Sequence, residues 1–284
     1  MKFFLIIGIL FFGYILWQKW ELTKFCVTGY QISSHKIKEK ACVAVLADLH
    51  GFTYGKKNKR LLKAIKDLRP QAIFILGDLL VSKYSDTFAV ALEILEELMK
   101  IAPVYYSYGN HESRLRDPER NNHLLFLQYL AQVKKIGVVM LETESQEISL
   151  GRNRVMLSGL ELELDYYEKG RIVPMESDYM KKRLHLQKKE LFQILLAHNP
   201  AYAENYADWG ADVTFCGHNH GGLIRIPYLG SLISPQLTLF PKYDAGKFQI
   251  GNGTVIISKG LGTHTFHIRI FNRAELLAVT FLPK

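Results

Sequence analysis

The hydrophobic pattern divides the chain in two. From Phe3 to Trp17 it is an uninterrupted apolar run, FFLIIGILFFGYILW, preceded by Lys2 and followed by Gln18, Lys19, Trp20 and Glu21. As a helix rising about 1.5 Å per residue the run covers roughly 22 Å. Gln18, Lys19 and an interfacial Trp20 extend it toward the roughly 30 Å of a bilayer core. The residues after the run offer no small-residue cleavage site, so the pattern predicts an uncleaved transmembrane anchor over 1–20 rather than a signal peptide. Lys19, Lys24, Lys36, Lys38 and Lys40 follow the run, and only Lys2 and the amino terminus precede it. The positive-inside rule then places the rest of the chain on the cytoplasmic face of a single-pass membrane protein.

From about Ala41 onward, short β-rich apolar runs alternate with stretches of helical period, the signature of an α/β domain. Strands are expected at Cys42–Ala47, Ala72–Leu76, Val104–Tyr108, Gly137–Leu141, Val155–Leu160, Phe192–Ala197 and Val213–Cys216, then near Val255–Ser258, His267–Phe271 and Leu276–Phe281. The clearest helices are Lys59–Asp67, Asp86–Lys100 and His123–Lys134; in the second, Phe88, Leu92, Leu95 and Met99 fall on one face. No repeat or low-complexity linker interrupts this pattern. Residues 21–40 read as a tether and first edge segment, and 41–284 as one domain.

Polar clusters follow these apolar runs directly. The first predicted strand leads into Asp48-Leu-His50-Gly51, the second into Gly77-Asp78 and the third into Gly109-Asn110-His111-Glu112; later ones lead into His198-Asn-Pro and Gly217-His218-Asn-His220-Gly221. In α/β sheets, ligands gather beyond the carboxyl ends of strands, so the five clusters are expected to converge on one crevice.

Composition agrees with a folded domain. The 284 residues are 48% hydrophobic, which excludes disorder and collagen-like repetition, and three dispersed cysteines exclude a disulfide framework. Lys and Arg exceed Asp and Glu by 36 to 27, a formal charge of +9 that favours acidic partners. Of ten histidines, five lie in the strand-end clusters. Asp48, His50, Asp78, Asn110, His198, His218 and His220 supply more oxygen and nitrogen donors than one ion needs. Two divalent ions with Asp78 between them would each receive four protein ligands, from a donor set suited to Mn, Fe, Zn, Co or Ni.

The ordered set D-x-H, G-D, G-N-H-E, H and G-H-x-H resembles the calcineurin-like metallophosphoesterase superfamily over essentially all of 41–284. Gly221-Gly222-Leu-Ile-Arg225-Ile-Pro, Leu239-Phe240-Pro241-Lys242-Tyr243, Ser258-Lys259-Gly260-Leu-Gly262-Thr and Ile268-Arg269-Ile-Phe-Asn272-Arg-Ala-Glu275 narrow the likeness to the bacterial YkuE/YaeI type. The resemblance implies a four-layer α/β/β/α sandwich. It also implies one metal on Asp48, His50, Asp78 and His220, a second on Asp78, Asn110, His198 and His218, and His111 as the group that protonates the leaving oxygen. Ala47, Ala274 and Asn219 depart from the common family pattern, and none of them is a ligand position.

The implied reaction is hydrolysis of a phosphoester or pyrophosphate by a metal-bridging hydroxide. Arg225 and Lys242 are candidates to meet phosphate oxygens, and Glu112 with nearby carbonyls to orient the imidazoles. The membrane anchor favours a lipid-linked substrate, with Tyr166, Tyr167 and the 160–171 stretch as an apolar approach for an acyl chain. The basic runs Lys56–Arg60 and Lys181–Arg183 leave a metal-dependent nuclease or nucleotide phosphodiesterase as the alternative, although they lack the interleaved aromatics of a nucleic-acid tract. A non-catalytic scaffold is disfavoured because every ligand position is filled.

Overall fold

The computed structural model describes residues 2–184, 188–222, 224–263 and 267–284; Met1 of the expected anchor and Leu223 of the Gly221–Pro227 motif lie outside them. The chain begins with helix α1 (Lys2–Leu22), then strands β1 (Phe25–Ser34) and β2 (Ala41–Leu46), helix α2 (Lys59–Leu68) and strand β3 (Ala72–Ile75). Helix α3 (Asp86–Met99), strand β4 (Val104–Ser107), helices α4 (Asn110–Leu115) and α5 (His123–Ile136), and strands β5 (Val139–Leu141), β6 (Thr143–Leu150) and β7 (Asn153–Leu160) follow. The remainder comprises α6 (Tyr179–Arg183), β8 (Phe192–Ala197), α7 (Ala203–Trp209), β9 (Val213–Cys216), the hairpin β10 (Ile224–Ile226) and β11 (Gly230–Ile233), and β12 (Gly246–Ile250), β13 (Gly253–Ile257) and β14 (Ala274–Pro283).

Two six-stranded sheets form the body, ordered β1-β14-β2-β3-β4-β5 and β12-β13-β9-β8-β7-β6. Their centres are parallel, and β14, β6 and β12 enter antiparallel to β2, β7 and β13. Period-two alternation along the strands builds the layers. In β2, Val43 and Val45 face the second sheet across a shared core with Phe74, Ile194 and Phe215, whereas Ala44 and Leu46 face the cluster under α2, α3 and α5. In β8, Ile194 and Leu196 join the shared core, and Leu195 and Ala197 pack with Tyr206 and Trp209 of α7. Three clusters between four layers give the α/β/β/α sandwich.

Local chemistry sets the ends of the elements. Helix α5 stops at Gly137, whose φ of 92° provides the left-handed cap. Helix α3 buries Phe88, Ala91, Leu95 and Leu98 at helical spacing. Five strands, β1, β6, β12 and the β10–β11 hairpin, escaped the sequence pattern, although β1 falls within the expected first edge segment. In β1 and β6 polar and apolar residues mix, because each is an edge strand with little apolar burial, and β12 is likewise an edge. The strand expected at His267–Phe271 is instead a loop with one isolated bridge, Ile224 to Ile270. That loop turns around the buried Arg269 guanidinium, which donates to the carbonyls of Lys259, Gly260, Gly262 and Asn272.

Helix α1 has an inverted burial pattern. Phe4, Leu10, Phe11 and Phe12 are each more than 60% exposed, while Gln18 and Glu21 are buried against the domain. Residues Phe4–Leu22 are long and apolar enough to cross a membrane by length and composition. The cysteines are free; Cys216 is buried, and Cys26 and Cys42 are half-buried.

Candidate metal centre

All five strand-end clusters meet in one place, but they come from two sheets: β2, β3 and β4 from the first, β8 and β9 from the second. Asp48 ties the sheets together, its carboxylate accepting the N–H of His218 at 3.1 Å. The loops after β2 and β3 are zipped by backbone bonds from Asp48 N to Gly77 O, His50 N to Asp78 O and Gly51 N to Leu79 O.

Asp48, His50, Asp78, His218 and His220 all have φ between 49° and 66°. Left-handed backbone is costly for residues with a Cβ, about 1–3 kcal/mol each, and such strain collects at functional sites. Here it reverses the chain just past β2, β3 and β9. Gly77 and Gly109 allow the closest approach, since a Cβ on Gly77 would lie 2.2 Å from Gly109 N, and one on Gly109 would lie 2.2 Å from Asp78 Oδ1.

The donor atoms form three overlapping groups within 4.8 Å: Asp48 with His50 and His220, His50 with Asp78 and His111, and Asp78 with His198 and His218. Asp78 Oδ2 lies 3.3 Å from His198 Nε2, 3.9 Å from His50 Nε2 and 4.0 Å from His111 Nε2, so it is central. Asp48 Oδ1 is 3.7 Å from both His198 Nε2 and His220 Nε2. The Nε2 atoms of His50 and His220 approach to 3.1 Å.

Hydrogen bonds on the far side of the rings fix the tautomers. His198 Nδ1 donates to Leu76 O at 2.6 Å and His220 Nδ1 to Gly262 O at 3.2 Å, which turns Nε2 of both rings inward. His111 is opposite, because its Nδ1 accepts the Ser82 N–H at 3.0 Å, so the neutral ring carries its proton on Nε2. Glu112 contacts backbone rather than an imidazole. Its Oε2 accepts from Asp78 N and Gly109 N, and its Oε1 from Leu79 N and the Tyr106 hydroxyl.

Electrostatically the cluster attracts cations. Burial pushes the Asp48 carboxyl up to about 7. Burial would raise Asp78 as well, but His198, His111 and His50 hold it well below the usual carboxylate range. Burial alone would lower His198, yet the two aspartates override it and push it up to about 9. Burial drives His218 down to about 3 and His220 well below its ordinary value, leaving both neutral, the form that binds metal. Asn110 Oδ1 and His218 Nε2 are buried with no hydrogen-bond partner among the described residues. Unpartnered inward lone pairs beside two carboxylates fit divalent cations.

The cavity, about 130 Å³, is lined by the imidazoles with Arg114, Tyr167, Lys169, Leu237, Ile268 and Asn272 among others. Arg225 and Lys242 are not among its lining residues. They border a separate surface hollow, where Arg225 pairs with Asp244 at 2.9 Å and Lys242 with Glu204 at 2.5 Å. The cationic residues that line it are instead Arg114, one helical turn beyond Asn110, Lys169 and Arg269; the Arg269 guanidinium is taken up by backbone carbonyls, and Arg114 and Lys169 have no ion pair among the described residues. The G-N-H-E-S-R spacing was the available signal for Arg114. Tyr167 packs edge-on to His218 with centroids 5.0 Å apart, whereas Tyr166 packs edge-on to Tyr179 and Tyr202.

A family profile described as calcineurin-like phosphoesterase matches residues 43–222. The chain is 26% identical over 266 residues to the Escherichia coli (strain K12) protein named Phosphodiesterase YaeI, covering 89% of this chain and 88% of that one. It is 32% identical over 90 residues to the Bacillus subtilis (strain 168) metallophosphoesterase YkuE, covering 32% of this chain and 31% of that one. It is also 25% identical over 240 residues to a Danio rerio transmembrane protein with a metallophosphoesterase domain, covering 82% of this chain and 51% of that one.

Proposed function

Since the chain belongs to the calcineurin-like phosphoesterase family, we propose that it is a binuclear metal-dependent hydrolase acting on a phosphoester or pyrophosphate of a membrane lipid. The observation that carries the metal chemistry is the convergence of Asp48, His50, Asp78, His198, His218 and His220 in overlapping groups beside one cavity that Asn110 also lines, with inward lone pairs unpartnered at Asn110 and His218. Asp48, His50, Asp78 and His220 would hold one cation, and Asp78, Asn110, His198 and His218 the other. Bound there, divalent cations supply Lewis-acid charge and make coordinated water acidic enough to yield hydroxide near neutral pH.

The remaining work falls to the chain itself. His111, as the imidazolium with its Nδ1–H on the Ser82 hydroxyl at 3.0 Å, delivers the Nε2 proton to the leaving oxygen and is left as the neutral ring. Arg114 presents a guanidinium fork to nonbridging phosphoryl oxygens, and Lys169 adds a point charge at the cavity edge. Tyr167 braces His218 and closes one wall, excluding bulk water. Helix α1 is taken as a single-pass anchor with the domain on the cytoplasmic face. The nuclease alternative is weakened by the basic runs, where Lys57 pairs with Glu93 and Lys182 with Glu176 and Asp178.

The test is a Mn²⁺-reconstituted screen of the full chain against a chromogenic phosphodiester, phospholipids, nucleotide-lipid pyrophosphates and single-stranded DNA. Lipid turnover that disappears in Asp78→Ala is expected. Full metal-dependent activity in Asp78→Ala would sink the binuclear scheme, and preferential DNA cleavage would overturn the lipid reading.

A further inference from the structure

The carboxyl end of α1 is clamped to the loop that borders the cavity. Gln18 makes two bonds to the backbone of Arg269, Nε2 donating to Arg269 O at 3.3 Å and Oε1 accepting from Arg269 N at 3.0 Å. One turn further on, Glu21 takes a bidentate pair from Arg273 at 2.8 and 2.9 Å. Both side chains are buried although they lie within the apolar Phe4–Leu22 stretch. Whatever depth the end of the helix occupies in a bilayer, the 268–273 loop occupies it too.

Between these clamps the loop turns apolar side chains outward: Ile268 is 39% exposed and Phe271 69%. The β10–β11 hairpin is fixed to the same loop by the Ile224–Ile270 bridge and by Arg225 N donating to Ile270 O at 3.3 Å. Its turn carries Tyr228 and Leu229, 108% and 73% exposed, which border one surface hollow together with Phe271. The segment after β11 adds Leu239 and Phe240 at 65% and 60%. Ile268 and Leu237 border the cavity that holds His50 and His111, so this apolar surface reaches the cavity mouth. A monomeric domain seldom leaves so many large apolar groups together on loops, and such a patch marks an interaction surface.

We propose that this rim, Tyr228, Leu229, Leu239, Phe240, Ile268 and Phe271, embeds in the interface of the bilayer that α1 spans, so that the cavity mouth opens onto the lipid surface. Continuity with α1 argues for lipid over a protein partner, because the Gln18–Arg269 and Glu21–Arg273 clamps hold the rim beside the end of the span. Phospholipid headgroups then reach Arg114 and Lys169 without leaving the leaflet, and the basic chain meets an anionic surface. The proposal rests on the reading of α1 as a membrane anchor.

The test places the photo-crosslinker p-benzoylphenylalanine singly at Tyr228, Phe271, Phe11 and Ser149 of the full chain. The chains are reconstituted in vesicles of phosphatidylcholine and phosphatidylglycerol, and adducts are identified by mass. Phospholipid adducts are expected at 228, 271 and 11, and none at Ser149, which is exposed on β6 at the opposite edge of the second sheet. Adducts at 11 but not at 228 and 271 would overturn the rim and leave the anchor. No adduct at 11 would overturn the anchor and the rim with it, and crosslinks from 228 or 271 to a second copy would replace lipid by a dimer. In a second arm, Tyr228→Ser/Leu229→Ser/Phe271→Ser should keep turnover of a soluble phosphodiester and lose about tenfold on the vesicle-embedded substrate. An unchanged ratio of the two rates would sink the orienting role.

Discussion

Glu112 accepts the backbone N–H of Asp78 at 2.8 Å, so a residue of one strand-end motif sets the conformation of another. The same carboxylate also takes N–H groups from Leu79 and Gly109 and the Tyr106 hydroxyl, and it is fully buried. Glu112→Gln exchanges one acceptor oxygen for an NH₂ that faces donors. An expected loss of about 3 kcal/mol in urea unfolding follows from stranding buried N–H groups. Tyr106→Phe, which removes a single donor, should cost about 1 kcal/mol. Equal losses in the two variants would show that the backbone bonds carry little.

Gly77 has φ of 94°, and a Cβ there would collide with the backbone of Gly109 rather than with a movable side chain. Gly77→Ala is therefore expected to cost about 3 kcal/mol or more, from left-handed strain plus overpacking. Thermal melting should fall by roughly 6–12 °C for a chain of this size. Gly170, with φ of 74° and open space around it, is the control. Gly170→Ala should show the smaller backbone cost alone.

The motifs were legible because each is short and sits just past a buried apolar run, as Asp48 and His50 do after β2. What joins them was not, since Asp48 and His218 meet across 170 residues of sequence. Left-handed backbone at five of the seven proposed ligand positions leaves no mark on composition or period. Arg225 and Lys242 are cations within segments of the resemblance, with side chains suited to phosphate oxygens. Only the fold reveals that Asp244 and Glu204 already occupy them. Edge strands such as β1 and β6 were missed for a related reason: a strand that buries little needs no apolar alternation.

Stability in acid should carry a contribution from Glu147 on β6. Its carboxylate bonds to Arg154 and to Lys188, which hold its pKa down to about 2 from 4.5. A depressed folded-state pKa contributes stability that is fully present above about pH 4.5 and is lost as pH falls through 2. Melting temperatures of the wild type and Glu147→Gln should differ at pH 6 and converge near pH 2. Because the site is exposed, 0.5 M NaCl should shrink the pH 6 difference. A difference that persists at pH 2 would contradict the assignment.

Metal content should separate the two proposed positions. Mass-spectrometric analysis after Mn²⁺ loading and desalting is expected to find two ions per wild-type chain, and one in His220→Ala or His218→Ala, which belong to different ions. Asp78→Asn, altering the central carboxylate, should hold less than one. Because cations bind the folded chain, Mn²⁺ at a hundredfold excess over its dissociation constant should add about 2.7 kcal/mol. A chelator should reverse that gain. Two retained ions in Asp78→Asn would remove the basis for a shared ligand.

His111 offers the sharpest test of mechanism, since its role depends on which nitrogen carries the proton. Ser82 N and Oγ both lie 3.0 Å from Nδ1, the hydroxyl able to accept Nδ1–H when the ring is protonated, so Nε2–H is the donor turned to the centre of the cluster, 4.0 Å from Asp78 Oδ2. A proton donor matters most when the leaving oxygen is basic. His111→Asn should keep two metals per chain yet lose roughly 10²–10⁴-fold in kcat on an alkyl phosphodiester. With p-nitrophenolate leaving, which departs without help, the loss should be far smaller. A uniform loss on both substrates would assign His111 to binding phosphate oxygens instead, and a drop in metal content would make it a ligand.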